Sequence, residues 1–385
     1  MYWKYSLFET KLLLHNRKNG FLGLLLLLFF ILYFIFSYSQ TEQVTLLDEK
    51  RMEGNWYTSV FNQLPDPVED TPEYEVYKNL EDQSTLVNYQ RFHLTRDENE
   101  EFIELSHELK HLRLRVIELD NKGIPEHLVM EKEYILKENI LLNYIEKNDL
   151  PLQQEPVTAS HFLMTAFTTV SGLIFYMFLL LFGSEILTFE NRHRTVMNGF
   201  PISFMKKATS KISLYFTHII SFLAGGLFIG FLYAANQTSS GNFSYPVLIY
   251  NDGGFEAVST LQFLMYSILA IVLITVLVLT LSVLLNMLFN NAYFNVLIGL
   301  GLFMLPDLLM VMGINASWLH PLKFVDFSSV LTGDLASQLG NSQIDYWHAI
   351  FALFVMTLLL TSLIFLVNKA AYIKNRPNQH VKESA

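Results

Sequence analysis

The chain has 385 residues, a formal net charge of -10, 51% hydrophobic residues and no cysteine, with a positive mean hydropathy. The lack of cysteine excludes disulfides, thiolate metal centres and cysteine nucleophiles in this sequence. A soluble chain of this size alternates apolar and polar residues, whereas here apolar runs reach the roughly 20 residues that carry a helix across a bilayer.

Residues 1–20 set Lys4, Lys11 and Lys18 seven apart on one helical stripe, with Trp3, Tyr5, Phe8, Leu12 and Leu14 elsewhere around it. Trp, Tyr and Lys suit the headgroup layer, so an interfacial helix on the cytoplasmic side is predicted to lead into the first span. That span, 21–39, contains the apolar run 21–36. The run is longer than the apolar core of a signal peptide, and no Ala-x-Ala site follows, so it reads as a retained anchor.

Residues 40–160 hold twenty-six acidic against twelve basic residues. Pro65, Pro67 and Pro72 mark an early loop. Phe102, Leu105, Leu109, Leu112 and Val116 then recur at helical spacing, and a second series runs from Leu128 to Ile145 beyond a turn at Asn121-Lys122-Gly123. The pattern predicts an acidic, mainly helical extracytoplasmic domain built as a hairpin of two long helices. Within it, His107-Glu108-Leu109-Lys110-His111 matches H-E-x-x-H, in which two imidazoles on one helix face hold zinc and the glutamate serves as base. Lys110, Arg113 and Arg115 place cations around the motif, and no third ligand stands at a recognised spacing. His107, Glu108 and His111 therefore read as a chance match, and no metal is assigned.

Five further spans are predicted at 161–183, 212–235, 261–285, 293–314 and 346–368, with a connector at 184–211 and a tail at 369–385. Gly226-x3-Gly230 and Gly299-x-Gly301 permit close helix approach. Asn286, Asn290 and Asn291 mark a short turn, and Asp307 after Pro306 lies toward the outer half of span five, where a membrane carboxylate is a functional candidate by default and the plainer reading is an outer-end residue reaching interfacial water. Thirteen Lys/Arg fall in the short segments 1–20, 184–211, 286–292 and 368–385, against Lys323 alone in the short loops between them. Long inserts cross regardless of charge, so this bias puts both termini and the connector on the cytoplasmic side of the plasma membrane. The fold expected is an all-α polytopic membrane protein: six transmembrane helices with a helical domain inserted between spans one and two.

The connector reads EILTFENRHRTVMNGFPISFMKKATSK over 185–211 and carries Arg192, Arg194, Lys206, Lys207 and Lys211 against Glu185 and Glu190. Its apolar positions Ile186, Leu187, Phe189, Val196 and Met197 suggest a short amphipathic helix that ends at Asn198-Gly199, with Pro201 opening the next. A short amphipathic helix at the inner membrane surface suits docking of a cytosolic partner.

The residues Phe189-Glu190, Arg194-Thr195, Gly199-Phe200-Pro201-Ile202-Ser203 and Ser210-Lys211, placed between a second and a third span, resemble those of ABC-2 type transporter permeases. The resemblance implies that the connector is the coupling helix that contacts a cytosolic ATP-binding subunit. It also implies a dimer with a second permease copy or homologue, and transport, with export favoured. Glu190, Arg192, Arg194, Thr195, Gly199 and Pro201 are the residues this assigns to ATPase coupling. Lys206, Lys207, Lys211, Lys4 and Lys11 are assigned to the membrane-lipid interface. The long insert after the first span departs from the family's smallest members and leaves subfamily and substrate open.

No G-x-x-x-x-G-K-[ST] occurs, so the chain is not expected to bind nucleotide in the Walker manner; ATP and Mg belong to the partner, and no enzyme activity or cofactor is assigned to this chain. Its basic residues form no aromatic-interleaved patch, so nucleic acid is not expected as a partner. The alternative function is a membrane-anchored sensor or scaffold whose acidic domain binds a ligand or protein.

Overall fold

In hydrocarbon a backbone must satisfy its own hydrogen bonds, and long apolar helices do so. The computed structural model describes residues 2–40, 45–64, 68–152, 157–193, 199–289, 291–314 and 316–374. Six of its helical segments are long and apolar enough to cross a membrane: Arg17–Ser39, Leu173–Glu190, Phe204–Gln237, Thr260–Leu288, Ala292–Val311 and Tyr346–Ala370. The architecture is that of a helical multi-pass membrane protein.

Helix α1 (Tyr2–His15) stops at Asn16, whose side-chain oxygen accepts the Lys18 amide at 3.0 Å, and α2 (Arg17–Gln40) continues as the first span. Four helices follow in the insert, where a two-helix hairpin was expected: α3 (Leu46–Phe61), α4 (Pro72–Leu94), α5 (Asn99–Glu118) and α6 (Lys132–Lys147). Thr45 and Asp48 form a capping box on α3, while Thr71 caps α4 ahead of Pro72 in its first turn. The polar character of α3 and α4 masked them, because Lys50, Asn79, Gln83 and Gln90 sit at buried positions where an apolar period expects Leu or Ile.

The core of this unit joins Tyr57, Val60, Val76, Leu80, Val87 and Leu109. Beside it lies a buried quartet of charges. Lys50 Nζ reaches Glu53 at 2.9 Å and Glu138 at 3.1 Å, and Arg113 binds Glu138 at 2.5 Å and Glu53 as well. Two cations and two carboxylates balance, so no buried charge lacks a counter-charge.

The predicted second span is not continuous. Helix α7 (Ala159–Val170) ends at Ser171, and α8 (Leu173–Gly183) starts after Gly172, which has φ 75°. Only glycine takes that conformation without strain, and a Cβ there would sit 3.0 Å from Asp326 Cγ. Ser171 Oγ donates to Asp326 Oδ1 at 3.0 Å and accepts the Ser328 amide at 2.9 Å.

After α9 (Thr188–Arg192), α10 (Phe204–Gln237) runs 34 residues. Gly226 and Gly230 let Phe30 of α2 approach closely: a Cβ at Gly226 would lie 2.7 Å from that ring. The loop expected after this span instead holds a hairpin, β1 (Pro246–Asn251) paired antiparallel with β2 (Gly254–Ser259), Tyr250 facing Phe255. Helix α11 (Thr260–Leu288) is the central span, with most of its residues buried, whereas α12 (Ala292–Val311) and the last span leave most of theirs unburied. A 3₁₀ segment (Ser317–Val325), α13 (Phe327–Leu331) and α14 (Asp334–Leu339) lead to the last helix, α15 (Tyr346–Lys374).

The two ends of the bundle are distinct. At one, the Ser184 carbonyl behind α8 accepts the amides of Asn286 (3.0 Å) and Asn295 (3.2 Å). At the other, Tyr245 donates to the Leu152 carbonyl at 3.0 Å, and Lys137 Nζ of α6 lies 4.0 Å from the Phe255 ring centroid.

Candidate functional site

At the Ser184 end, α1 packs across the segment after α8 and the start of α10. Its buried positions, Tyr5, Glu9 and Leu13, recur every four residues and form one stripe. Tyr5 Oη donates to Glu190 Oε1 at 3.3 Å, Ser6 meets Ser210 at 2.8 Å, and Lys211 Nζ donates to Glu9 Oε2 at 2.8 Å. Tyr5 meets the Phe200 ring edge-on at 5.4 Å, and Phe8 lies against both Phe189 and Phe200. Lys18 closes the seam by reaching Glu185 at 3.2 Å and donating to Ser184 Oγ at 3.0 Å. Burial, then the charges of Glu190 and Glu9, push the Tyr5 hydroxyl far above the ordinary tyrosine range, so it acts only as a neutral donor.

The structure places the residues assigned from sequence differently. Glu190 is held by Tyr5, while Arg192 stands exposed at the end of α9. Gly199 and Pro201 lie in the loop before α10; Pro201 does not open that helix, which begins at Phe204 after Ser203 in extended conformation. Arg194 and Thr195 fall outside the described residues. Lys4, Lys11 and Lys206 are exposed, as a membrane-facing role requires.

Lys207 and Lys211 differ from expectation, being 9% and 2% exposed. Helix α1 supplies Glu9 to Lys211, so that lysine is spent on a buried ion pair instead of lying on the outer surface. That pairing was invisible in sequence, because Glu9 and Lys211 stand 202 positions apart. Its one trace was an acid in an otherwise basic and apolar leader.

Glu9, Glu185, Arg192, His193 and Lys211 line a cavity of about 220 Å³ between α1 and the connector, with Leu12, Leu13, Ile186 and Phe189 as apolar wall. Glu9 is 5% exposed, and its Oε1 has no hydrogen-bond partner among the described residues. The arrangement can brace the connector and receive a small polar group.

The other candidates are placed as follows. His107 Nε2 meets Glu146 at 3.1 Å, and Glu108 and His111 are exposed on α5. No three His, Asp or Glu residues converge as a metal site among the described residues. Asp307 is not left to interfacial water alone, since it pairs with Lys323, which also donates to Gln338 at 3.3 Å. A larger cavity of about 630 Å³ lies between α6, the hairpin and α14.

No family model, curated protein or solved structure matches the chain.

Proposed function

We propose that this chain is the membrane subunit of an ABC-2 type transporter, exporting a substrate across the plasma membrane with ATP and Mg bound by a separate cytosolic subunit. The observation that carries the reading is the bracing of the connector: Tyr5 to Glu190 and Glu9 to Lys211 tie α1 to both flanks of the segment 190–211. A push delivered to Arg192 and Arg194 would reach α8 directly and α10 through Lys211, so two spans would move with one connector. The six-span layout and the basic bias of the short segments support the same reading. Two permease copies would alternate access for a substrate held between them.

Affinity purification in mild detergent, with identification of the bound ATPase, tests this directly. Charge reversal at Arg192 and Arg194 should weaken that complex and lower substrate-stimulated ATP hydrolysis. An intact complex with full hydrolysis would remove these residues from the role.

The cavity between α6, the hairpin and α14 favours a second reading. Its volume of about 630 Å³ lies in the range of small-molecule sites. A sensor that binds a ligand between insert and spans would use that cleft and need no ATPase; failure to recover any ATPase, with ligand-dependent protection of the cleft, would favour it.

A further inference from the structure

The cavity beneath α1 carries an inference that goes beyond the transporter reading and shares only Arg192 with it. Glu9 Oε2 is taken by Lys211 at 2.8 Å. The Tyr5 proton goes to Glu190 at 3.3 Å, and although its hydroxyl is close enough to feel Glu9, no donor among the described residues stands in hydrogen-bonding geometry to Glu9 Oε1. A buried carboxylate oxygen without a donor is costly, so whatever fills the space should bring an N–H or O–H group.

Charge narrows the class. Glu9 is paired with Lys211 and Glu185 with Lys18, so among the described residues the cavity keeps an open acceptor at Glu9 Oε1 and an unpaired cation at Arg192. A wall of that kind suits a zwitterion better than a net anion or cation. Arg192 is exposed and enters no ion pair among the described residues, which leaves a guanidinium fork free for a phosphate.

Position supplies the rest. Helix α10 has 34 residues, more than the roughly 20 that span hydrocarbon, so its first turns extend into the headgroup layer. Lys211 lies in its third turn, and the cavity opens beside it. A volume of about 220 Å³ falls below the range for whole small-molecule ligands and fits a headgroup.

We propose that this cavity binds a phosphoethanolamine headgroup, its ammonium donating to Glu9 Oε1 and its phosphate lying against Arg192. The leader helix is thereby sealed to the connector by a phosphoethanolamine group. Phosphatidylcholine cannot replace it, because a trimethylated nitrogen has no N–H for Glu9.

The test uses the full-length protein in nanodiscs of phosphatidylcholine doped with either phosphatidylethanolamine or phosphatidylglycerol. Lipid retained after a detergent wash is quantified by mass spectrometry. The expected result is enrichment of phosphatidylethanolamine over both other lipids by about tenfold, the scale of one charge-assisted hydrogen bond. R192A, an exposed change, should abolish the enrichment. E9Q should do the same, but it strands Lys211 and can disturb folding, so R192A carries the decision. A parallel arm adds soluble O-phosphoethanolamine to the protein in pure phosphatidylcholine. A rise in Tm there equal to that with the lipid identifies a free metabolite as the source; no rise identifies the bilayer. Equal retention of the three lipids by the wild type, or unchanged enrichment in R192A, overturns the proposal.

Discussion

Lys211 of α10 and Glu9 of α1 lie 2.8 Å apart with side chains 2% and 6% exposed, so the leader helix and the third span share one buried ion pair. Removing one partner leaves a bare charge in a desolvated seam, and such losses run at about 3–5 kcal/mol. Lys211→Ala should therefore lower Tm sharply in detergent. The double variant Glu9→Gln, Lys211→Met should recover much of that loss, because no buried charge remains. A double variant as unstable as Lys211→Ala would show that the pair itself is not the source.

The break at Gly172 carries its own expectation. Alanine there must hold φ 75° and place Cβ 3.0 Å from Asp326 Cγ. Strain of this kind costs about 1–3 kcal/mol, so Gly172→Ala should lower Tm, and Ser171→Ala, which loses both the bond to Asp326 and the one from the Ser328 amide at about 0.5–1.5 kcal/mol each, should lower it by no more. Thermal melts of both variants check the order.

Asn286 and Asn295 cover the same Ser184 carbonyl from different spans. Either asparagine alone can satisfy that acceptor. Single alanine variants should each cost about 0.5–1.5 kcal/mol, and the double variant more than their sum. A strictly additive double-mutant cycle would contradict the shared cap.

The buried quartet in the insert predicts a pH profile. Burial alone would raise the Glu138 carboxyl, but Lys50 and Arg113 override it and hold it below its ordinary 4.5. Burial would likewise lower Lys50, yet Glu138 and Glu53 raise it above its ordinary 10.5. A depressed carboxylate contributes stability above its unfolded value and loses it as pH falls through the folded one; a raised lysine contributes below its unfolded value and loses it as pH rises through the folded one. Stability of the insert should be flat between about pH 5 and 10 and fall on either side. With Trp3, Trp318 and Trp347 replaced by Phe, emission from Trp56, which packs on Tyr57 at 4.7 Å, reports the insert alone. Glu138→Gln should lower the plateau and remove the acid limb.

The spans were legible because uninterrupted apolar runs have one physical meaning at membrane length. Features that depend on a few polar residues inside those runs were not. Ser171-Gly172 is a small perturbation of an apolar stretch, yet it breaks the helix once Asp326 arrives from 155 positions away. The hairpin did carry a local signal: Asp252 (φ 49°) and Gly253 (φ 79°) form a tight turn between β-branched and aromatic residues. Its position between two spans, where a connection needs only a loop, hides that signal. For the site, the basic connector could be read directly. The burial of Lys207 and Lys211 could not, since only the fold brings α1 over them. Nor could the insert's first two helices, whose buried positions are filled by mutually bonded polar groups such as Tyr57 and Gln83 (2.8 Å).

The central claim is that the connector after the second span faces the compartment that holds ATP. Because the chain has no cysteine, single cysteines can be introduced without background. Lys206 within the connector and Glu108 on α5 are both exposed and suit this purpose. In intact cells a membrane-impermeant maleimide should label E108C and spare K206C, with K206C becoming reactive once the membrane is permeabilised. Labelling of K206C from outside intact cells, with E108C protected, would contradict the account.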